Sequence, residues 1–223
     1  MNYTFHFAEV WGAWEELASG AALTLRLSML AMLFSLTLAV FGALGRKSGP
    51  SWMRYAIAAY VEIIRNTPFL VQIFLIFFGL PSLAVRLDAD TAALLAMVLN
   101  GSAYTIEIVR AGLESVALGQ TEAASALGLH RWAIFRKVVL PQALKAVYAP
   151  LGSQFILLML NSSIVSTISA DELTAAAEDI QGRTFRAFEV YIVATGIYFA
   201  LSMVFTGLFS VTGRLLFARP ASR

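Results

Sequence analysis

Five long apolar intervals separated by short polar ones dominate the chain, at about residues 20–45, 55–80, 91–113, 142–170 and 189–213. Each is long enough, at ~1.5 Å per helical residue, to cross a hydrocarbon core of ~30 Å. The pattern predicts an all-α, polytopic membrane protein with five transmembrane helices, forming a single domain over residues 1–223. Ahead of the first span, within residues 1–18, Phe7, Val10, Trp11 and Trp14 recur at three-and-four spacing. That spacing predicts a short interfacial helix with tryptophans at headgroup level. No Lys or Arg precedes Arg26, and Glu9, Glu15 and Glu16 come first. A cleaved leader needs a basic start, so the first span is expected to stay as an anchor.

The spans are not uniformly apolar. The second carries Glu62 and Arg65, then Asn66-Thr67-Pro68, and proline removes a backbone hydrogen bond and kinks a helix. The third repeats the charge pattern with Glu107 and Arg110. Residues three apart share a helix face, so each pair can close on itself and the four charges can cluster between the two helices. Ionisable groups at such depth face protein or water rather than lipid. Near the end of the fourth span, Asn161, Ser162 and Ser163 suit either close helix packing or a polar path. Together with Gln72, these are the substrate-path candidates: Glu62, Arg65, Gln72, Glu107, Arg110, Asn161, Ser162 and Ser163. A secondary transporter using the Glu/Arg cluster as an ion relay is the alternative, although the lack of an evident internal repeat counts against it.

Two polar intervals break the hydrophobic pattern most strongly. In the first, from Gln120 to Pro141, Glu122-Ala123-Ala124-Ser125-Ala126-Leu127 is a run of good helix formers with a carboxylate near its start. Gly128 can end that helix in the left-handed conformation. A basic turn with His130, Arg131, Arg136 and Lys137 follows, and Pro141 fits the first turn of the next span. Two small helices presenting a knob to the aqueous phase are expected here. In the second interval, Asp171 to Arg186, residues Leu173 to Ile180 predict a short surface helix.

Composition sharpens this picture mainly by exclusion. With 59% hydrophobic and 13% charged residues and a mean hydropathy of +0.74, the chain is far from a soluble average. A net charge of +2 gives nucleic acid no foothold. The absence of cysteine removes disulfides and thiolate sites, and His6 and His130 are far apart, so no metal site is expected. Gly45-Arg46-Lys47-Ser48 lacks the spacing of a phosphate-binding loop.

Charge also orients the chain. Arg46, Lys47, Arg54, Arg131, Arg136, Lys137, Lys145, Arg214, Arg219 and Arg223 fall on one side of the five spans, which the positive-inside rule makes cytoplasmic. The N-terminus is then periplasmic and the C-terminus cytoplasmic. The acidic residues Glu9, Glu15, Glu16, Asp88, Asp90, Asp171, Glu172, Glu178 and Asp179 fall on the outer side. They are expected to form a rim able to receive basic groups of a soluble partner.

Glu122-Ala123-Ala124, Gly128 after three residues, and Val138, Leu140 and Pro141 after nine more resemble the EAA motif of permease subunits of binding-protein-dependent ABC importers. Further stretches resemble the branch of that family for polar amino acids such as histidine, glutamine, arginine and glutamate. They are Thr24-Leu25-Arg26-Leu27-Ser28, Arg65-Asn66-Thr67-Pro68-Phe69-Leu70-Val71-Gln72, Phe78-Gly79-Leu80-Pro81, Ala103 to Arg110 and Gly119-Gln120. One departure is Leu160, which stands where many relatives have a lysine. The resemblance implies a type I importer permease of the bacterial inner membrane, without catalytic residues of its own. It implies a second permease subunit, identical or similar, a periplasmic solute-binding protein, and a cytoplasmic ATPase dimer that binds ATP and Mg. It also implies a coupling helix, with Glu122, Ala123, Ala124, Ser125, Ala126, Leu127, Gly128 and Arg131 docking on the ATPase. Leu140, Pro141 and Pro68 would have structural roles.

Overall fold

A computed structural model describes residues 3–217. Arg219 and Arg223, counted above among the cytoplasmic cations, lie outside the described residues. The chain folds into helices only, among the described residues: α1 (Ala8–Gly12), α2 (Trp14–Ser48), α3 (Ser51–Arg65), α4 (Phe69–Phe74), α5 (Ala89–Glu114), α6 (Leu118–Ala126), α7 (Arg131–Ile134), α8 (Leu140–Asn161), α9 (Leu173–Thr184) and α10 (Ala187–Phe217). Four are long and apolar enough to cross a membrane. The broken pair α3 and α4 makes a fifth crossing if counted as one.

Helix α2 is the central post, packed on α5, α3, α8 and α9. Its buried positions include Gly20, Thr24, Ser28, Ala31, Ser35, Ala39 and Ala43, a stripe of small residues at three-and-four spacing. Without bulky side chains on that stripe, neighbouring backbones come close, which is how helices associate where lipid supplies no hydrophobic drive. A Cβ on Gly20 would stand 2.9 Å from the Leu173 Cα, and one on Gly101 would stand 2.6 Å from Ser35 Oγ. The main core gathers Leu27 and Ala31 of α2, Phe69 and Ile73 of α4, Ala93 and Met97 of α5, and Leu158 of α8.

The first helix differs from the expectation. Instead of one interfacial segment over residues 1–18, α1 ends at Gly12 and the long first span begins at Trp14. Val10 is buried with Leu17, Leu173 and Ile180, while Trp11 and Trp14 remain about half exposed. The tertiary contact of Val10 turns the chain inward before the span starts.

The second span is more than kinked. Helix α3 stops at Arg65, and α4 leaves at 110° to it. Pro68, in extended conformation, precedes α4, because its ring bars a continuing helix. Gln72 fills the gap: its Nε2 donates to the carbonyls of Ile64 (2.8 Å) and Thr67 (3.0 Å), and its Oε1 accepts from Asn100 Nδ2 at 2.9 Å. Two prolines later in the chain sit beside π turns, Leu75–Gly79 before Pro81 and Phe135–Val139 before Pro141. In each case the proline brings no N–H to the carbonyl four residues back, and the turn widens.

Candidate functional site

The Gln120 to Pro141 stretch folds into α6, a reversal at Gly128, and α7. At the end of α6, Gly128 N–H donates to Ser125 O (2.9 Å) and Leu129 N–H to Ala124 O (3.2 Å). Gly128 itself has φ +77°, so this is a Schellman closure that depends on its left-handed backbone. His130 then caps α7, its Nδ1 accepting from Trp132 N–H at 3.2 Å. Gln142 at the start of α8 reaches back to Gln120, fixing the element to the long helix that follows.

Of the nine residues of α6 only Ala124 is buried. Leu118, Leu127 and Trp132 are 77%, 82% and 62% exposed, and Glu122, Ala123, Ser125, Ala126 and Arg131 are also at or near the surface. Large apolar side chains are held outward here on a double turn, beside Arg131, Arg136 and Lys137, as an exposed apolar knob with a basic flank. Leu140 and Pro141 sit in the first turn of α8.

The four predicted membrane charges do not form the expected cluster. Glu62 accepts from Asn66 Nδ2 at 2.9 Å, because that residue caps the α3 terminus directly above it. Arg65 sets its guanidinium 5.5 Å from the ring centroid of Tyr104 on α5. Glu107 and Arg110 do pair, and Arg46 Nη1 joins them by donating to Glu107 Oε2 at 2.9 Å. Arg110 also reaches Glu114 Oε2 at 2.5 Å. The ion-paired group is therefore Arg46, Glu107, Arg110 and Glu114, partly exposed near the ends of α2 and α5. Glu62 and Arg65 share with Arg46 and Glu107 a cavity of about 410 Å³ without pairing to each other. Among the described residues no direct hydrogen bond links Glu62 or Arg65 to the paired group.

Three of the remaining path candidates, Gln72, Ser162 and Ser163, donate to backbone carbonyls. Gln72 is 7% exposed and bridges the break at Pro68. Ser162 Oγ donates to Met159 O at 2.7 Å and Ser163 Oγ to Leu160 O at 2.9 Å, in a 3-10 segment that continues α8. Asn161, the last residue of α8, is half-buried.

The acidic residues of the expected rim correct another expectation. Glu172 is not part of an acidic rim; it is fully buried at the start of α9. Its Oε1 accepts from Thr174 N–H (2.7 Å) and Ala175 N–H (3.1 Å), and its Oε2 from Tyr198 Oη (2.5 Å) and Thr24 Oγ1 (3.2 Å). Burial pushes this carboxyl above its ordinary value, with the hydrogen bonds from Tyr198 and the two amides opposing it. Glu189 is equally buried and ties the N-terminal segment to α10 by accepting from Tyr3 Oη (2.5 Å) and His6 N–H (2.9 Å). Glu16 and Glu9 are engaged by Arg183 and Arg186. Asp88 caps α5 by accepting from Thr91 N–H at 3.0 Å and Thr91 Oγ1 at 2.8 Å, which holds its carboxyl below the usual range.

Sequence reasoning missed Arg46, Thr24 and Tyr198. The spacing of small residues in α2 would have placed Thr24 on the buried stripe. No local signal pairs Arg46 with Glu107 or Tyr198 with Glu172. Among the described residues, no three His, Asp or Glu side chains stand close enough to share a metal ion.

Known proteins give this architecture its context. A family model described as binding-protein-dependent transport system inner membrane component matches residues 31–216. The chain is 34% identical over 202 residues to the glutamine transport system permease protein GlnP of Escherichia coli K12, covering 90% of this chain and 92% of that protein. It is 39% identical over 197 residues to the L-cystine transport system permease protein TcyB of Bacillus subtilis 168, covering 86% and 84%. A crystal structure of an amino acid ABC transporter with histidines contains a chain that superposes with a TM-score of 0.89 at 38% identity, covering 95% of this chain and 99% of that one. The protein thus belongs to the family of binding-protein-dependent transport system inner membrane components, multi-pass permease subunits of ABC importers.

Proposed function

We propose that this permease carries a polar amino acid into the cell, driven by ATP hydrolysed on a separate cytoplasmic ATPase dimer. The exposed knob of α6, Gly128 and α7 carries the reading. Its Schellman closure holds Leu127 outward, and Leu118 and Trp132 flank it, as a helix docking in a groove of a partner requires. ATPase closure would move this element as a rigid body, together with α8, to which Gln142 fastens it. ATP and Mg belong to the ATPase. A second permease subunit completes the pathway, and a periplasmic binding protein delivers the solute. The positive-inside distribution supports a periplasmic N-terminus and a cytoplasmic C-terminus.

Relatives transporting glutamine and cystine, and a solved amino acid transporter, support the substrate class. Within the chain, Glu62, Arg65, Glu107 and Arg46 around one cavity offer both charge signs, suited to an ammonium and a carboxylate on one small solute. The test is co-purification from the native membrane with mass spectrometry of attached subunits, followed by ATP-dependent uptake of labelled glutamine, histidine and arginine in vesicles. An ATPase subunit that is lost in Gly128→Asp or Ala124→Asp, with uptake abolished, is the expected result. Uptake that survives without the ATPase and follows a proton gradient would overturn the reading.

A further inference from the structure

A groove of about 610 Å³ runs between α8 and α10, apart from the charged cavity and from the docking knob. Its floor is aromatic. Tyr148 lies against Gly213, where a Cβ would stand 2.7 Å from its ring, and donates its hydroxyl proton to Phe209 O at 2.9 Å. Phe209 in turn covers Gly152, where a Cβ would come within 3.2 Å. These two glycines leave room for the rings between the helices, where Tyr148 and Phe209 meet at 57°.

Charge is confined to one end. Lys145, about one turn after Pro141, and Arg214, near the end of α10, both line the groove. Neither forms an ion pair among the described residues, and no acidic residue lines the groove. This is the end nearest the knob, on the side where the cations gather. A long apolar trough with two unpaired cations at its cytoplasmic mouth is complementary to an acidic phospholipid: phosphate between Lys145 and Arg214, acyl chain along Phe209 and Ile156. Basic pockets between membrane helices on the cytoplasmic side have this use. A second copy of the chain fits less well, because a two-fold contact centred here would set Lys145 and Arg214 against the same cations.

We propose that the α8–α10 groove is a binding site for an acidic glycerophospholipid of the cytoplasmic leaflet. The test uses the intact importer complex, delipidated in detergent and titrated with phosphatidylglycerol or phosphatidylcholine under native mass spectrometry. Phosphatidylglycerol is expected to bind in preference. The double variant Lys145→Gln/Arg214→Gln should weaken it roughly tenfold or more, while Arg54→Gln leaves it unchanged. Ser153→Trp, which fills the trough and keeps both cations, should weaken it as well. Equal retention of the two lipids, or phosphatidylglycerol binding that survives both changes, would overturn the site. A photocrosslinking p-benzoylphenylalanine in place of Ser210 supplies an independent readout in native membranes. A lipid-mass adduct supports the proposal, and an adduct to another polypeptide overturns it by assigning the groove to a subunit contact.

Discussion

The two ends of the bundle use carboxylates in opposite ways. At the end nearer the knob, Glu107 is partly exposed and held by two guanidiniums, Arg46 and Arg110, with Glu114 balancing the second. At the end that carries α9, Glu172 is fully buried and held by two amides and two hydroxyls, with no cation bonded to it among the described residues. Ion pairs within reach of water contribute little net stability and weaken with salt, whereas a buried acceptor surrounded by donors is costly to remove, because each donor is left unpaired. The buried carboxyl therefore fixes structure, joining α2, α9 and α10 at one atom pair. The exposed group can be rearranged at low cost.

The contrast is broken most directly by truncation. Glu172→Ala should destabilise the purified chain by about 3 kcal/mol, since it strands the Thr174 and Ala175 amides and the Thr24 and Tyr198 hydroxyls. Glu107→Ala should cost about 1 kcal/mol. Thermal denaturation in detergent, followed by tryptophan fluorescence, measures both, and equal losses would erase the distinction.

Protonation separates the ends next. Because the folded-state value of Glu172 is raised, the native state binds the proton more tightly than the unfolded chain does. Its contribution is fully present below the ordinary carboxylate value and is lost as pH rises through the raised one. The difference in denaturation midpoint between wild type and Glu172→Gln should therefore shift against wild type as pH rises through that window. A difference that stays flat across pH would contradict the buried, desolvated carboxyl.

Salt sharpens the comparison further. Arg46→Gln should cost about 0.5–1 kcal/mol at low ionic strength and less in high salt, because the Arg46–Glu107 pair is partly exposed. The loss in Glu172→Ala should not respond to salt. Smallest of all, Arg183→Ala, which removes the exposed partner of Glu16, should change stability by no more than about 0.5 kcal/mol.

Much of the fold is written in local signals. The α6–Gly128–α7 element was legible because helix formers, a glycine suited to φ > 0 and a proline stand in order over a short stretch. The all-α membrane class follows from the apolar intervals alone. The break at Pro68 was legible as a kink, but its 110° extent was not, because it depends on Gln72 and Asn100 meeting across α4 and α5. Glu172 read as part of an outer rim because it lies in a polar stretch, and only the approach of α2 and α10 buries it. The expected Glu62–Arg65 pair failed for a local reason: Asn66, as the C-cap, competes for the same carboxylate.

One feature of the fold has mechanical weight. From Arg131 through the π turn, α8 and the 3-10 segment to Ile168, the helix runs on for 38 residues with no break. At ~1.5 Å per residue it is a strut of roughly 57 Å, longer than the hydrocarbon it crosses. One end belongs to the knob, and the other lies five residues before the start of α9 at Leu173. The knob and the approach to α9 are therefore the two ends of one rod, interrupted by Pro150 and by turns of different pitch but by no loop.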